Sequence, residues 1–371
     1  MEAFLIGPDL VPRGRLPWLS AKISPKLNAS GGLTMQVPGE STMATRITEG
    51  CRIRITDGDT EPISAFITTI ERSTTSKGVL NLNLSGILEL GTLAWRITYP
   101  DPTRPEDSQK AAYYTDTGAA GDVITSLLLR NIGPAALAAR RGPGVVIDSA
   151  AGLGKKVSVK TRFDSLLEQA GTLADQGGLA LHACYGTDRK IHIGARAVTD
   201  RSRSLVLRQD RGALGEWRAS ITAPEATTFI VGGQGEGADR MIRSYALAAT
   251  DTWGVRVEAF KDQRDAKDAT ELATAGQKLV DETTGSGAVT LTLNETIRVL
   301  GRDFHLGDTL SADLGGVVFT DTLQAADIEW SDTGRKVTLT LGSGGDRDNK
   351  APAWVRRVRK LNAALRNLEV R

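Results

Sequence analysis

Three histidines, His182, His192 and His305, are the only imidazoles in this 371-residue sequence. Acid–base or nucleophilic chemistry built on histidine therefore has few places to sit. His182, Cys184 and His192 fall in LALHACYG and KIHIGARAV, two runs flanking Thr187-Asp188, where a hairpin would bring them together. Such soft ligands warrant a metal test, but a fourth ligand is not visible and strands need side chains for packing, so a structural role stands first. Neither HExxH nor GxSxG occurs. GLGKK at 152–156 lacks the first glycine of a phosphate-binding loop. GGQGEG at 232–237 leads into the strand-like RMIRSYAL, not into a helix whose N-terminus could hold phosphate, and reads as a turn. Asp262, Asp265 and Asp268 in KDQRDAKDA spread over a loop and a helix start and read as solvated caps. The expectation is a chain that is not an enzyme, with no catalytic, cofactor-binding or metal-binding residue.

The elements that would position these residues are mostly strands. RIRITDGD, SAFITTIERS and VLNLNLSGILEL alternate apolar and polar residues between Gly, Asp and Ser punctuation, so the first 90 or so residues read as a small β-domain. Pro100, Pro102 and Pro105 stop regular structure and mark a boundary. GDVITSLLLRNIGP then predicts a helix with Asp122 as N-cap. RFDSLLEQAGTLADQGG predicts a second, with Phe163, Leu166, Leu167, Ala170, Leu173 and Ala174 on one stripe and Gly177-Gly178 as its stop. Strands resume at SLVLRQ, WRASIT and ATTFIVGG. DATELATAGQKLVDE predicts a third helix with capping-box spacing from Asp268 to Glu271, and alternation returns from about residue 286.

Composition narrows the classes. The length suggests two to four domains. A net charge of +2 from 46 basic and 44 acidic residues provides no global field toward nucleic acid or membrane. Cys51 and Cys184 set no disulfide framework. MEAFLIGPDL is too short an apolar run for a signal peptide, and no stretch approaches the roughly 18 apolar residues of a spanning helix. The expected protein is soluble, made in the cytoplasm and without a membrane anchor.

Two segments match each other at constant offset. ITTIERSTTSKGVLNLNLSG and AADIEWSDTGRKVTLTLGSG share Ile70/Ile328, Glu71/Glu329, Ser73/Ser331, Thr75/Thr333, Val79/Val337 and Gly86/Gly344, so the same β-unit is expected twice.

Taken in order, NIGPAALAARR, TRFDSLLEQAGTLADQGGLAL, FIVGGQGEGADR, DTWGVRVEAFKDQRDA and ELATAGQKL resemble the signature segments of tail-hub proteins (minor tail or baseplate hub) of long-tailed siphophages infecting actinobacteria. The resemblance implies a β-rich α+β fold with two related tail-tube-like β-barrel domains, α/β accessory domains and a C-terminal helix. It assigns 1–95 to the first barrel, 96–204 to an α/β accessory domain, 205–235 with 286–345 to the second barrel, 236–285 to an inserted α/β accessory segment, and 346–371 to the helix. Such hubs are trimers that present six tube-like units to a sixfold tail tube. The implied partners are therefore two sister chains, the distal tail protein ring, the tail tube protein, the tape-measure protein and downstream tip or receptor-binding proteins, with phage DNA passing transiently through the lumen. The implied location is the tail tip of the virion. Larger members continue into a cell-wall-lytic or receptor-binding region, and the lack of one before residue 371 sets the expectation that turnover and host binding lie elsewhere. A tail-tip cell-wall-degrading enzyme or a carbohydrate-binding adhesin are the alternatives.

The last segment, WVRRVRKLNAALRNLEVR, fits that implication. Trp354, Leu361 and Leu368 at d and Val358 and Leu365 at a form a heptad seam on a helix begun near Pro352. Two and a half heptads do not hold a coiled coil alone, so these five residues are expected to clasp copies that the ring brings together. The basic residues fall off the seam and read as a solvated face, then as contact with an acidic neighbour.

Overall fold

The structure is a computed structural model and describes residues 1–342 other than 75, 222–225, 247–253, 265, 267, 284–286, 296–297 and 317. One compact unit gathers Met1–Leu205, Thr292–Leu310 and Thr322–Leu339; another is built from Val206–Leu291 and Ser311–Asp321.

The first unit opens with β1 (Glu2–Ile6), β2 (Pro12–Leu16), β3 (Ser20–Lys26), β4 (Ala29–Pro38), β5 (Arg52–Thr56), β6 (Ile63–Thr74) and β7 (Leu80–Leu88). Alternation does its expected work here: RIRIT buries Ile53 and Ile55, and β4 buries Leu33, Met35 and Val37. An α/β module follows, made of β8 (Tyr114–Ala119), α1 (Ala120–Asn131), β9 (Val145–Ile147), β10 (Lys156–Thr161), α2 (Leu166–Gly177), β11 (Leu179–Tyr185) and β12 (Ile191–Ala197). β8 pairs with β10, while β12 lies between antiparallel β11 and parallel β9. Leu127 and Leu128 of α1, Leu166, Ala170 and Leu173 of α2, and Ile191 and Ile193 of β12 share one core.

The remaining elements are β13 (Val206–Arg208), β14 (Leu214–Ile221), β15 (Thr228–Gly232), β16 (Ile242–Ala246), β17 (Glu258–Asp262), α3 (Ala269–Thr283), β18 (Gly287–Leu293), β19 (Thr309–Asp313), β20 (Val318–Ser331) and β21 (Gly334–Leu341). In the second unit β15 is flanked by antiparallel β16 and parallel β17. α3 buries Leu272 among Phe229, Val231 and Ala266. β13 runs parallel to β19.

Within the first unit the strand order is β21-β20-β3-β4-β7-β6-β5-β1-β2. That sheet is rolled. β20 and β5 are five strands apart, so a flat sheet would hold them about 24 Å from each other. Yet the indole Nε1 of Trp330, on β20, donates to Asp57 Oδ2, just past β5, at 2.9 Å. Arg335 of β21 adds contacts of 3.4 Å to Asp57 and 3.1 Å to Glu295. The expectation of a β-rich α+β protein is met, and among the described strands the pairing forms a curled path.

The β3–β4 turn reaches into the α/β module. Asn28, at φ 52°, is buried; its Nδ2 donates to Asp175 Oδ1 at 2.6 Å and to Leu179 O at 3.0 Å, and its Oδ1 accepts from the Leu181 amide at 2.7 Å. Asn tolerates this left-handed conformation better than most residues.

Three local expectations change. Asp122 does not cap α1; its Oδ1 accepts from the Gly152 amide, and Ala119 stands at the cap without a side-chain bond. Phe163 precedes α2, where Ser165 caps through the Glu168 amide and Gly178 ends the helix at φ 70°. The two matched segments are both hairpins, β6–β7 and β20–β21, but they are not equivalent residue by residue. Five residues separate β6 from β7 and two separate β20 from β21. Val337 is consequently buried at 1% exposure where its match, Val79, is 54% exposed. A slip of odd length sends matched side chains to opposite faces.

Candidate functional site: a histidine–carboxylate cluster

The β11–β12 ladder pairs His182 with Gly194 and Cys184 with His192, which puts the two histidines and the cysteine on one face, as the hairpin reading expects. The parallel pairing of β9 with β12 carries Asp148 alongside Gly194, and the Asp148 amide donates to Ile193 O. Gly194 thus lies between Asp148 and His182. A Cβ there would come within 2.9 Å of both His182 Cε1 and Asp148 Cβ, so only glycine lets the two side chains meet across the strand.

They meet at hydrogen-bond distance. His182 Nε2 is 3.0 Å from Asp148 Oδ2, and His192 Nδ1 is 2.9 Å from Asp148 Oδ1. His192 Nε2 lies 3.1 Å from Asp188 Oδ2, in the hairpin turn. Both ring nitrogens of His192 face carboxylate oxygens, and only the imidazolium can donate to both. The bond to Asp148, then that to Asp188, raises the His192 pKa above its ordinary 6.5 against burial. Burial pushes the Asp148 carboxyl up, but the bonds to His182 and His192 outweigh it and hold the group below the usual carboxylate value.

The third histidine joins a neighbouring cluster. His305 Nε2 is 3.2 Å from Glu61 Oε1, and Arg196 of β12 approaches the same oxygen at 3.9 Å. The His305 bond is the largest cause of a lowered Glu61 pKa, and the charge of His182 contributes to the same shift. Cys184 completes the face. Its thiol donates to Pro62 O at 3.1 Å, and burial pushes its pKa up, so it is held protonated rather than poised as a nucleophile. Deeper in the unit, Arg52 Nε and Glu89 Oε1 form an ion pair at 3.0 Å in which Glu89 is fully buried. Burial raises the Glu89 carboxyl and Arg52 opposes it.

This arrangement is an ion-pair latch. It fixes the tip of the β11–β12 hairpin to the segment after β9, while the Tyr185 amide donates to Ser64 Oγ at 2.8 Å and the Arg54 Nε to Tyr185 O at 3.2 Å, tying the same hairpin to β5 and β6. Among the described residues, no group of three His, Cys, Asp or Glu is placed to hold a metal ion. An open cleft of about 520 Å³ runs along α1 past Thr103, Asp122, Ser126 and Arg130. Asp188 was detectable in the sequence as a turn residue four before His192; Asp148, 34 residues from His182, left no signal. GGQGEG forms the turn between β15 and β16, as its flanks suggest. Trp354, Val358, Leu361, Leu365 and Leu368 lie outside the described residues. No helix among the described residues is long and apolar enough to cross a membrane.

Comparison with known proteins gives the chain a setting. A family model described as Siphovirus ReqiPepy6 Gp37-like protein matches residues 6–343. No curated protein matches the sequence. Among solved structures, the 43 kDa tail protein of prophage MuSo2 from Shewanella oneidensis is similar at TM-score 0.56 and 13% identity, covering 92% of this chain and 98% of that one. The tail protein from Neisseria meningitidis MC58 is similar at TM-score 0.55 and 15% identity, with 93% and 97% covered. Prophage tail protein gp18 from Listeria monocytogenes EGD-e follows at TM-score 0.50 and 12% identity, with 99% and 100% covered. At these identities the likeness is one of fold, and it extends over nearly the whole of each chain.

Proposed function

Because the chain belongs to the Siphovirus ReqiPepy6 Gp37-like protein family, we propose that it is a structural protein of a phage tail, working by shape and interface rather than by turnover. In this reading it is a trimeric hub at the distal end of the tail of a long-tailed phage of actinobacteria. It adapts a sixfold tail tube to a threefold tip and opens the lumen for DNA delivery. The observation that carries the reading is a fold that follows three tail proteins along nearly its whole length, with two sets of antiparallel strands, β1–β7 and β20–β21, joined edge to edge by β3 and β20. The Trp330–Asp57 bond then spans the two tube-like units and holds them against each other. We assign 1–95 and 205–235 with 286–345 to the two tube-like units, 96–204 and 236–285 to accessory parts outside the ring, and 346–371 to a clasp through Trp354, Val358, Leu361, Leu365 and Leu368. The neighbours in the assembled virion are then the distal tail ring, the tube protein, the tape-measure protein and the tip proteins.

Light scattering of the purified chain, with and without residues 352–371, tests this. A trimer, or a steep concentration-dependent shift toward one, that is lost on truncation supports the ring and its clasp. A monomer at every concentration, both alone and mixed with the purified distal tail and tube proteins, overturns the trimeric hub.

A further inference from the structure

We infer that exposed Trp95, Ile97, Tyr113 and Phe163 on the first unit form a docking surface for a protein segment rich in carboxylates. These side chains are 55%, 43%, 46% and 38% exposed, and they account for three of the four exposed aromatic rings among the described residues. Three chain segments bring them together. Ile97 bridges Ser165, and the Phe163 amide donates to Thr98 O at 2.8 Å. The hydroxyls of Thr98 and Thr161 meet at 2.6 Å, and Thr161 pairs with Tyr114, the neighbour of Tyr113. Segments 95–99, 113–114 and 160–165 are therefore one surface.

Its details suit an interface more than a solvated loop. Phe163 holds φ at 58°, a left-handed conformation that a bulky side chain adopts only when its surroundings impose it. Its ring packs edge-on against Tyr99 with centroids 5.8 Å apart, and Trp95 packs edge-on against Phe66 at 5.0 Å, so two of the exposed rings are held rigidly from behind. Rigid aromatic side chains mixed with arginine are the composition of interface centres.

Charge selects the partner. Lys160 Nζ lies 4.4 Å from the Tyr113 ring and Arg162 Cζ 5.9 Å from the Phe163 ring, and neither cation has a carboxylate within ion-pair distance among the described residues. AWRITY at 94–99, KAAYY at 110–114 and VKTRF at 159–163 carry four cations and no acid. Of the nearest carboxylates, Asp164 Oδ2 already accepts from the Thr161 hydroxyl at 2.6 Å and the Arg162 amide at 3.0 Å, while Glu106 accepts from the Tyr99 hydroxyl at 3.2 Å. An occupant bearing carboxylates supplies the missing counter-charge as it covers the rings. Nucleic acid also offers negative charge and stacking, but Ile97 and the exposed Ala111 and Ala112 give it nothing to bind, whereas a protein segment buries them.

The test uses the full chain and a fluorescently labelled random copolymer of glutamate and tyrosine, with binding read by anisotropy at low and high salt. Lys160→Glu with Arg162→Glu is the variant, and Lys77→Glu, an exposed lysine between β6 and β7, is the control. The expected result is salt-sensitive binding that the double reversal weakens by about tenfold or more and the control leaves alone. An unchanged melting temperature of the double variant shows that its fold is intact. Trp95→Ala with Phe163→Ala weakens binding without changing its salt dependence. Equal binding by wild type and double variant, or displacement of the copolymer by oligothymidine at equal concentration, overturns the proposal; the latter outcome would reassign the strip to nucleic acid.

Discussion

Trp330 and Asp57 stand 273 residues apart in sequence and 2.9 Å apart in space, an indole N–H on β20 bonded to a carboxylate just past β5. In the strand order those elements are separated by four others, so this contact records the curl of the sheet.

Trp330→Phe keeps the ring and removes the donor. The half-buried Asp57 carboxylate retains its contact with Arg335, so the expected loss is about 1–2 kcal/mol in urea unfolding. A variant as stable as wild type would mean that the indole bond adds nothing to what the Arg335 ion pairs and the packing of the ring already hold.

Asn28→Ala removes three hydrogen bonds inside the module and places alanine at positive φ. The expected cost is about 3 kcal/mol. Asn28→Gly keeps the turn conformation and recovers only the backbone part, so the difference between the two variants in melting temperature measures the strain. Gly171→Ala attacks the same contact from the other side, because its Cβ would stand 2.6 Å from Asn28 O; destabilisation of about 1–3 kcal/mol is expected.

The histidine cluster makes stability depend on pH from two sides. His192 binds its proton more tightly in the folded state, so its contribution is complete below about 6.5 and disappears as pH rises through the higher folded value. Asp148 and Asp188 are shifted the other way, Asp188 by the His192 bond acting against desolvation, so their contribution is present above about 3.8 and disappears on acidification below it. Melting temperature should therefore be highest between those limits, and His192→Asn should flatten its alkaline flank. With only three histidines in the chain, their imidazole proton resonances can each be followed; a His192 titration at or below 6.5 would contradict the assignment.

Arg52→Met leaves Glu89 fully buried without its counter-charge, which is expected to cost about 3–5 kcal/mol at neutral pH. Glu89 already resists ionisation through burial, and the loss of Arg52 pushes it further up. The deficit should therefore shrink as pH falls and the carboxyl takes a proton. A loss that does not vary with pH would point to packing against Phe66, over which Arg52 lies at 4.9 Å.

What the sequence revealed was local. The β5–β7 strands, the β11–β12 hairpin and α3 were legible because alternation, turn residues and the Asp268 cap act within a few positions; Asp268 Oδ1 does accept from the Thr270 and Glu271 amides. The convergence of His182, Cys184 and His192 was legible for the same reason, since register across a short turn fixes it. Asp148, Glu61 and the bond from Trp330 to Asp57 were not, because each depends on which strands become neighbours after folding, and single residues carry no record of that. Asp122 misled because the same side chain that caps a helix can as easily satisfy a loop amide, here that of Gly152. The match of Val79 to Val337 misled because letters align without regard to turn length.

The Asn28 plug has a mechanical consequence. It sits at the tip of a hairpin whose strands lie in the interior of the sheet order, so the share of any tension on the α/β module that passes through Asn28 runs along the axes of β3 and β4. Load in that direction shears many ladder bonds at once instead of peeling them one by one. The module should consequently move as a stiff extension of the sheet and pass force on without yielding at the joint.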